Sequence, residues 1–318
     1  MTQDDFWRDH GQERKNVKHT GIASQCSARA ALAALAFIIF GAAEAAQEVA
    51  LTHVHGLAYS ADGRKIFIPS HHGLAVYENG RWSKASGPGH DYMGFSATKN
   101  RFYSSGHPAP ESGLVNPFGL IMSTDSGRTW QKRGLEGETD FHALGTGYET
   151  NAIYAFSPAP NSRMKRAGLY YTLNDGFAWA LSKAQGIDGS IHAIAVHPSR
   201  PQTVAVATKE GIFLSQDHGD HFSRIAPGQG LAVFFDLDGE HLIFSRYDGT
   251  PRLYRHSLKS RGDTDIPLPS LTRDAVSHVA QNPVNRAEYA IATFERSVFL
   301  SRDGGRAWTQ IAYNGQGR

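Results

Sequence analysis

Ser123-Thr124-Asp125-Ser126-Gly127-Arg128-Thr129-Trp130 is a turn written into the sequence. Short polar side chains at its first and third positions can bond nearby backbone N–H groups, and Gly127 adopts positive φ without strain. Trp130 then opens the next strand with a ring large enough to anchor it against neighbouring sheet. The octad returns as Thr172-Leu173-Asn174-Asp175-Gly176-Phe177-Ala178-Trp179. It returns again as Ser215-Gln216-Asp217-His218-Gly219-Asp220-His221-Phe222 and as Ser301-Arg302-Asp303-Gly304-Gly305-Arg306-Ala307-Trp308. The four copies begin 49, 43 and 86 residues apart, and 86 is two steps of 43, so one unit in between lacks the signature. A fixed period of this size marks an array of supersecondary units.

Working outward, the chain beyond residue 45 divides into six similar units: 53–87, 90–137, 140–187, 190–229, 231–270 and 274–315. Each reads as four short strands separated by Gly, Asp, Asn or Pro, as in Ile66-Phe67-Ile68 of the first and Val298-Phe299-Leu300 of the last. The fifth carries Arg255-His256-Ser257-Leu258-Lys259 where an octad would stand, and the second has an insertion over His107-Pro108-Ala109-Pro110-Glu111-Ser112-Gly113. Six four-stranded units predict an all-β, six-bladed β-propeller in a single domain over 46–318, with seven blades as the alternative count. The pattern leaves open whether the stretch 48–52 completes the last blade. The 33 Gly and 14 Pro among 318 residues suit many short strands and turns. A net charge of +2 points to neither nucleic acid nor a membrane surface.

The first 45 residues read as an export signal with a long polar leader. Residues 30–43 are an uncharged, mostly apolar run of 14 behind Arg29, and Ala43-Glu44-Ala45 is a small-x-small cleavage site. The run is too short for a comfortable membrane span. Either the leader is genuine or translation starts at Val17, leaving Lys18 and Arg29 in a short basic region. Cleavage near Ala45 predicts a periplasmic or extracellular protein off the membrane. Cys26, the one cysteine, lies before the apolar run, so the mature chain would have no disulfide and no thiolate chemistry.

The octad resembles the Asp-box, or BNR repeat, of the β-propellers found in sialidases, sortilin-type receptors and the plant photosystem II assembly factor. In those families it lies on the outer rim of a blade. The resemblance therefore implies a structural role for Ser123, Asp125, Gly127 and Trp130, for Asn174, Gly176 and Trp179, for Asp217 and Gly219, and for Asp303, Gly305 and Trp308. Sialidases also need three arginines on a sialate carboxylate, an early Arg-Ile-Pro and a Tyr–Glu pair. Here the early strand is Ile66-Phe67-Ile68-Pro69 and no arginine recurs at the blade starts, so sialidase chemistry does not carry over. A resemblance covering most of the chain rests on His53-Val54-His55-Gly56-Leu57-Ala58-Tyr59, His90-Asp91-Tyr92-Met93-Gly94-Phe95 and Phe102-Tyr103-Ser104-Ser105-Gly106-His107-Pro108-Ala109-Pro110. It is to bacterial exported propellers labelled glycosylhydrolase-like, and it implies a fold without an activity.

The blade starts carry the chemistry. Aligned on their first strands, the six units place His55, Met93, His142, His192, Ala232 and His278 in one register. Two residues earlier, on the same side by a strand's period of two, stand His53, Asp91, Asp140 and Ser190. The second strand returns antiparallel, so its end, His71-His72 in unit one and His107 in unit two, lies beside the first strand's start. His53, His55, His71, His72, His90, Met93 and His107 are thus expected at one mouth of the channel. Imidazoles with a thioether suit copper, then zinc. His142, His192 and His278 complete the channel register, where an inherited inter-blade hydrogen-bonding role is the plain alternative. His197, His218, His221, His241 and His256 fall on turns or outer strands and read as solvated.

The sequence thus reads as an exported, monomeric binding or assembly module whose histidine-rich mouth takes a metal ion and a protein or small-ligand partner. One alternative is a glycoside hydrolase or lyase using Asp91 and Asp140. Another is a pure protein-interaction scaffold with structural histidines.

Overall fold

Short runs such as Ile66-Phe67-Ile68 and Val204-Ala205-Val206 are buried at every position in the computed structural model, which describes residues 49–317. A strand buried on both faces must lie between two other layers of structure. The export signal and its alternative start fall on residues outside the described range.

The strands form six antiparallel sheets, each ordered as its strands occur in the chain. Blade one is β1 (Ala58–Tyr59), β2 (Lys65–Ser70), β3 (Gly73–Glu78) and β4 (Arg81–Lys84). Blade two is β5 (Asp91–Ala97), β6 (Phe102–His107), β7 (Leu120–Ser123) and β8 (Gln131–Gly134). Blade three is β9 (Leu144–Thr146), β10 (Ile153–Ser157), β11 (Gly168–Thr172) and β12 (Ala180–Leu181). Blade four is β13 (Ala193–Val196), β14 (Val204–Thr208), β15 (Gly211–Ser215) and β16 (Ser223–Pro227). Blade five is β17 (Gln229–Phe235), β18 (His241–Tyr247), β19 (Pro251–Ser257) and β20 (Asp263–Ile266). Blade six is β21 (Val276–Gln281), β22 (Tyr289–Thr293), β23 (Val298–Ser301), β24 (Thr309–Tyr313) and β25 (Gln316–Gly317).

The first strands β1, β5, β9, β13, β17 and β21 touch one another in that order, and β21 touches β1. The protein is a six-bladed β-propeller. Its core is six apolar layers, one at each junction between blades. Near the axis the inner strands approach closely. A Cβ on Gly145 would lie 2.5 Å from the carbonyl oxygen of Ile194 in the next blade, so only glycine fits there.

Both ends of the described chain close the ring. Ala50 bridges antiparallel to Gln316, and Leu51 N–H donates to Gly315 O at 2.7 Å. Val49 and Leu51 are buried in the layer between blades six and one. The stretch before blade one therefore completes the last blade, beyond β25. Across the same junction, Trp82 Nε1–H donates to Ile311 O at 2.8 Å.

The four octads join third strand to fourth and share one geometry. In blade two, Ser123 Oγ–H donates to Asp125 Oδ1 at 2.8 Å and accepts from Gly127 N–H at 2.9 Å. Thr129 donates to Asp125 through its N–H at 2.9 Å and its hydroxyl at 2.7 Å. The first-to-third, first-to-fifth and third-to-seventh bonds recur in the other three copies, with Asn174 as acceptor in blade three. Ser126 and Gly127 both have positive φ, 61° and 82°, so the turn needs the left-handed region twice. Trp130, Trp179 and Trp308 are half-buried.

Each octad packs on the preceding blade. A Cβ on Gly127 would meet Leu74 of blade one, and one on Gly176 would meet Leu120 of blade two. Asp175 accepts from Arg101 and Tyr103 of blade two, while His218 of blade four stacks on Tyr171 of blade three at 4.7 Å. Trp308 Nε1–H donates to Pro267 O, on the connection leaving blade five.

Three histidines expected in solvent are built into the fold instead. His197 is 2% exposed, its Nε2 2.8 Å from Gly239 O; His256 is buried with its Nδ1 2.7 Å from Asp263. His218 is held against Tyr171 and lies 3.2 Å from the Tyr154 hydroxyl. In each case the partner belongs to another blade or another strand. His221 and His241 keep partly open positions beside Asp217 and Asp238.

Candidate functional site

Strand direction decides which ends meet. β1 runs away from one face of the ring and β2 returns to it, so the segment before β1 lies beside the end of β2. Thr52 Oγ1 is 2.8 Å from Ser70 Oγ, and His55 N–H donates to Pro69 O at 3.2 Å. These bonds place His53 and His55, on the segment entering β1, beside His71, in the turn leaving β2. The ring centroids of His53 and His71 are 4.3 Å apart, and those of His55 and His71 5.1 Å. One nitrogen from each of His53, His55 and His71 lies within 4.8 Å of the others.

Blade two adds a carboxylate. Asp91, at the start of β5, has its oxygens 3.6 Å from His55 Nε2 and 3.7 Å from His71 Nδ1. His55 Nε2, His71 Nε2 and Asp91 Oδ1 are buried and make no hydrogen bond. Buried polar atoms are nearly always paired, with protein, water or a ligand, so these three atoms are open to a further partner. Burial, with the nearby imidazoles of His71 and His53, lowers the His55 pKa to about 3. Its ring is therefore neutral at physiological pH, the form that coordinates a metal.

One blade on, Asp140 Oδ2 is 3.2 Å from His107 Nε2 and 2.7 Å from His142 Nε2. Ser105 positions this group: its hydroxyl donates to Gly119 O at 2.6 Å and accepts Phe141 N–H at 2.9 Å, fixing the backbone between Asp140 and His142. His107 Nδ1 is 2.7 Å from Asn116 Oδ1, on the connection from β6 to β7. The Asp140 carboxylate, against the opposing effect of burial, raises the His142 pKa.

The remaining expected residues fall elsewhere. His72 is exposed. His90 is 6% exposed, accepts Ala109 N–H at Nδ1 and packs on Phe118; burial lowers its pKa. Met93 is buried, two residues along β5 from Asp91. His192 Nε2 is 2.8 Å from Gly230 O of the next blade, and burial lowers its pKa to about 4. His278 lies 3.0 Å from Ser277 Oγ and is likewise lowered to about 4 by burial.

Asp91 and Asp140 read in the sequence as an acid pair; Asp91 is set beside two imidazoles of blade one, and Asp140 beside one of blade two and one of blade three. The signal was present in the register, since both stand where unit one has His53. On the opposite face, Asp236, Asp238 and His241 also converge at the turn between β17 and β18. There Asp236 is already taken by Arg255 at 3.0 Å and the Tyr289 hydroxyl at 2.8 Å, a tie between blades five and six.

No protein-family model and no curated protein sequence matches the chain. Among solved structures it is similar to a GH74 enzyme of Niastella koreensis, at TM-score 0.56 and 16% identity over 83% of this chain and 46% of that one. It is similar to the GH74 xyloglucanase of Xanthomonas campestris at TM-score 0.54 and 15% identity, over 84% of this chain and 46% of that one. A chain of a nidogen/laminin complex aligns at TM-score 0.55 and 10% identity, over 82% of this chain and 90% of the other. The chain spans less than half the length of the GH74 chains it matches. At these identities the likeness is one of fold, and the fold is the β-propeller.

Proposed function

We propose that this propeller is an exported binding or assembly module whose channel mouth holds a transition-metal ion through His53, His55 and His71, with Asp91 as a fourth group. The octads are read as Asp-boxes, with a structural role only. The observation that carries the metal reading is the convergence of three imidazole nitrogens within 4.8 Å, beside a carboxylate and with orphaned buried atoms. Ligands on one ion at ~2.1 Å stand roughly 3–3.5 Å apart, so modest side-chain rotation completes the set. Imidazole donors suit copper and zinc, and the divalent affinity order places copper first. The hydrolase reading rests on likeness of fold, and both carboxylates it would use face imidazoles.

The test is metal uptake by the purified protein, followed by native mass spectrometry and calorimetry with Cu²⁺ or Zn²⁺ alone. His55→Ala with His71→Ala should cost at least a hundredfold in affinity at this site. His72→Ala, in the same turn but outside the cluster, should cost nothing. Equal binding by the double variant and the wild type would refute the assignment.

A further inference from the structure

The six-fold repeat relates the two histidine–aspartate groups of the mouth. One step around the ring carries His55 to Met93, His71 to His107 and Asp91 to Asp140. The contact repeats with the step: a second-strand-end imidazole meets the next blade's carboxylate at 3.7 Å in the first group and 3.2 Å in the second. In the second group His142 adds another imidazole, 2.7 Å from the same oxygen. Asp140 Oδ1 is buried without a hydrogen bond, as Asp91 Oδ1 is in the first. The groups also adjoin, because Asp91 and His107 are direct cross-strand partners in blade two.

Resting on the metal reading above, we infer that the mouth is built for two cations. The second is held by His107, Asp140 and His142, with the Met93 thioether in the place that His55 takes in the first. Both imidazoles reach one Asp140 oxygen, at 3.2 and 2.7 Å, and rotation of the open His107 and His142 side chains would bring their nitrogens together on one ion. The two sites differ in softness. The first offers nitrogen and oxygen alone, while the second offers a thioether, which favours copper over zinc. A mouth with two neighbouring cations suits a ligand that bridges them, such as a small dianion or a polypeptide carboxylate.

Stoichiometry decides it. Native mass spectrometry of the full protein with Cu²⁺ should find two ions per chain. Asp140→Asn with His107→Ala should leave one, and His55→Ala with His71→Ala should also leave one. Combining all four substitutions should leave none, with circular dichroism verifying that each variant keeps its β-sheet. Met93→Leu preserves apolar volume and should weaken the second copper about tenfold while leaving the first unchanged. One ion on the wild type, or two remaining after Asp140→Asn with His107→Ala, would overturn the second site and leave the first standing. No ion on the wild type would overturn both.

Discussion

Replacing Asp125 with alanine tests whether the octads hold the blades together. The carboxylate takes three bonds: the Ser123 hydroxyl, the Thr129 N–H and the Thr129 hydroxyl. Thr129 is exposed, so water replaces much of what its groups lose. Ser123 is 1% exposed and would keep an O–H with no acceptor, a loss of about 1–2 kcal/mol. With about 0.5–1 kcal/mol for the backbone donor, Asp125→Ala should destabilise the domain by about 1.5–3 kcal/mol. Asp125→Asn keeps Oδ1, and blade three already runs on Asn174, so it should cost less than about 1 kcal/mol. In a domain of this size, Asp125→Ala should lower Tm by roughly 3–12 °C. Urea unfolding with a fixed m-value separates the two variants. Copper stoichiometry should be untouched, because the turn lies on the face opposite the mouth. An Asp125→Ala protein within 0.5 kcal/mol of wild type, or an Asn variant as unstable as the Ala one, would refute the reasoning.

Two further outcomes follow from burial. Gly145→Ala drives a Cβ to 2.5 Å from Ile194 O, a backbone atom that cannot rotate away, and should cost about 1–3 kcal/mol in denaturant unfolding. His192 has a pKa of about 4 when folded against 6.5 when exposed, so between those values the unfolded chain takes up a proton that the folded chain refuses. Its contribution to stability is present above pH 6.5, falls as pH drops towards 4, and is constant below. The loss from pH 7 to pH 5 is about 2 kcal/mol for this group. His192→Gln should flatten the pH dependence of Tm by that amount, and an unchanged slope would show that the ring is not excluded from protonation.

The period of the octads spaced out blades two to six, because the turn geometry is local: every bond that defines it spans four residues or fewer. The degenerate first and fifth units were legible from strand patterns alone. The mouth was legible as a register, since alternation and antiparallel return are also local rules. Sequence could not choose between His71 and His72, adjacent residues of one turn, of which only the first faces the cluster. Nor could it place His90, His197 or His218 in the fold, whose partners come from folding a loop back or from a neighbouring blade. His218, for example, meets Tyr154 across 64 positions of chain. The surroundings of the carboxylates were hidden for the same reason, since the imidazoles beside Asp91 come from the preceding blade.

Every octad clasps the blade before it, and only blades two, three, four and six have one. Blades one to four therefore form one clasped arc, and blades five and six another. At the seam between four and five the third turn is replaced, while at the seam between six and one blade one turns through the short Asn79-Gly80 hairpin. The first seam is held by an apolar layer with the His192–Gly230 and His197–Gly239 contacts, and the second by an apolar layer, the Trp82–Ile311 bond and the bridge from Ala50 to Gln316. Opening of the ring should begin there, as two rigid arcs parting rather than as six blades fraying in turn. The first three blades carry both histidine–aspartate groups and lie inside one arc. The mouth can thus keep its histidine–aspartate geometry while the ring breathes elsewhere.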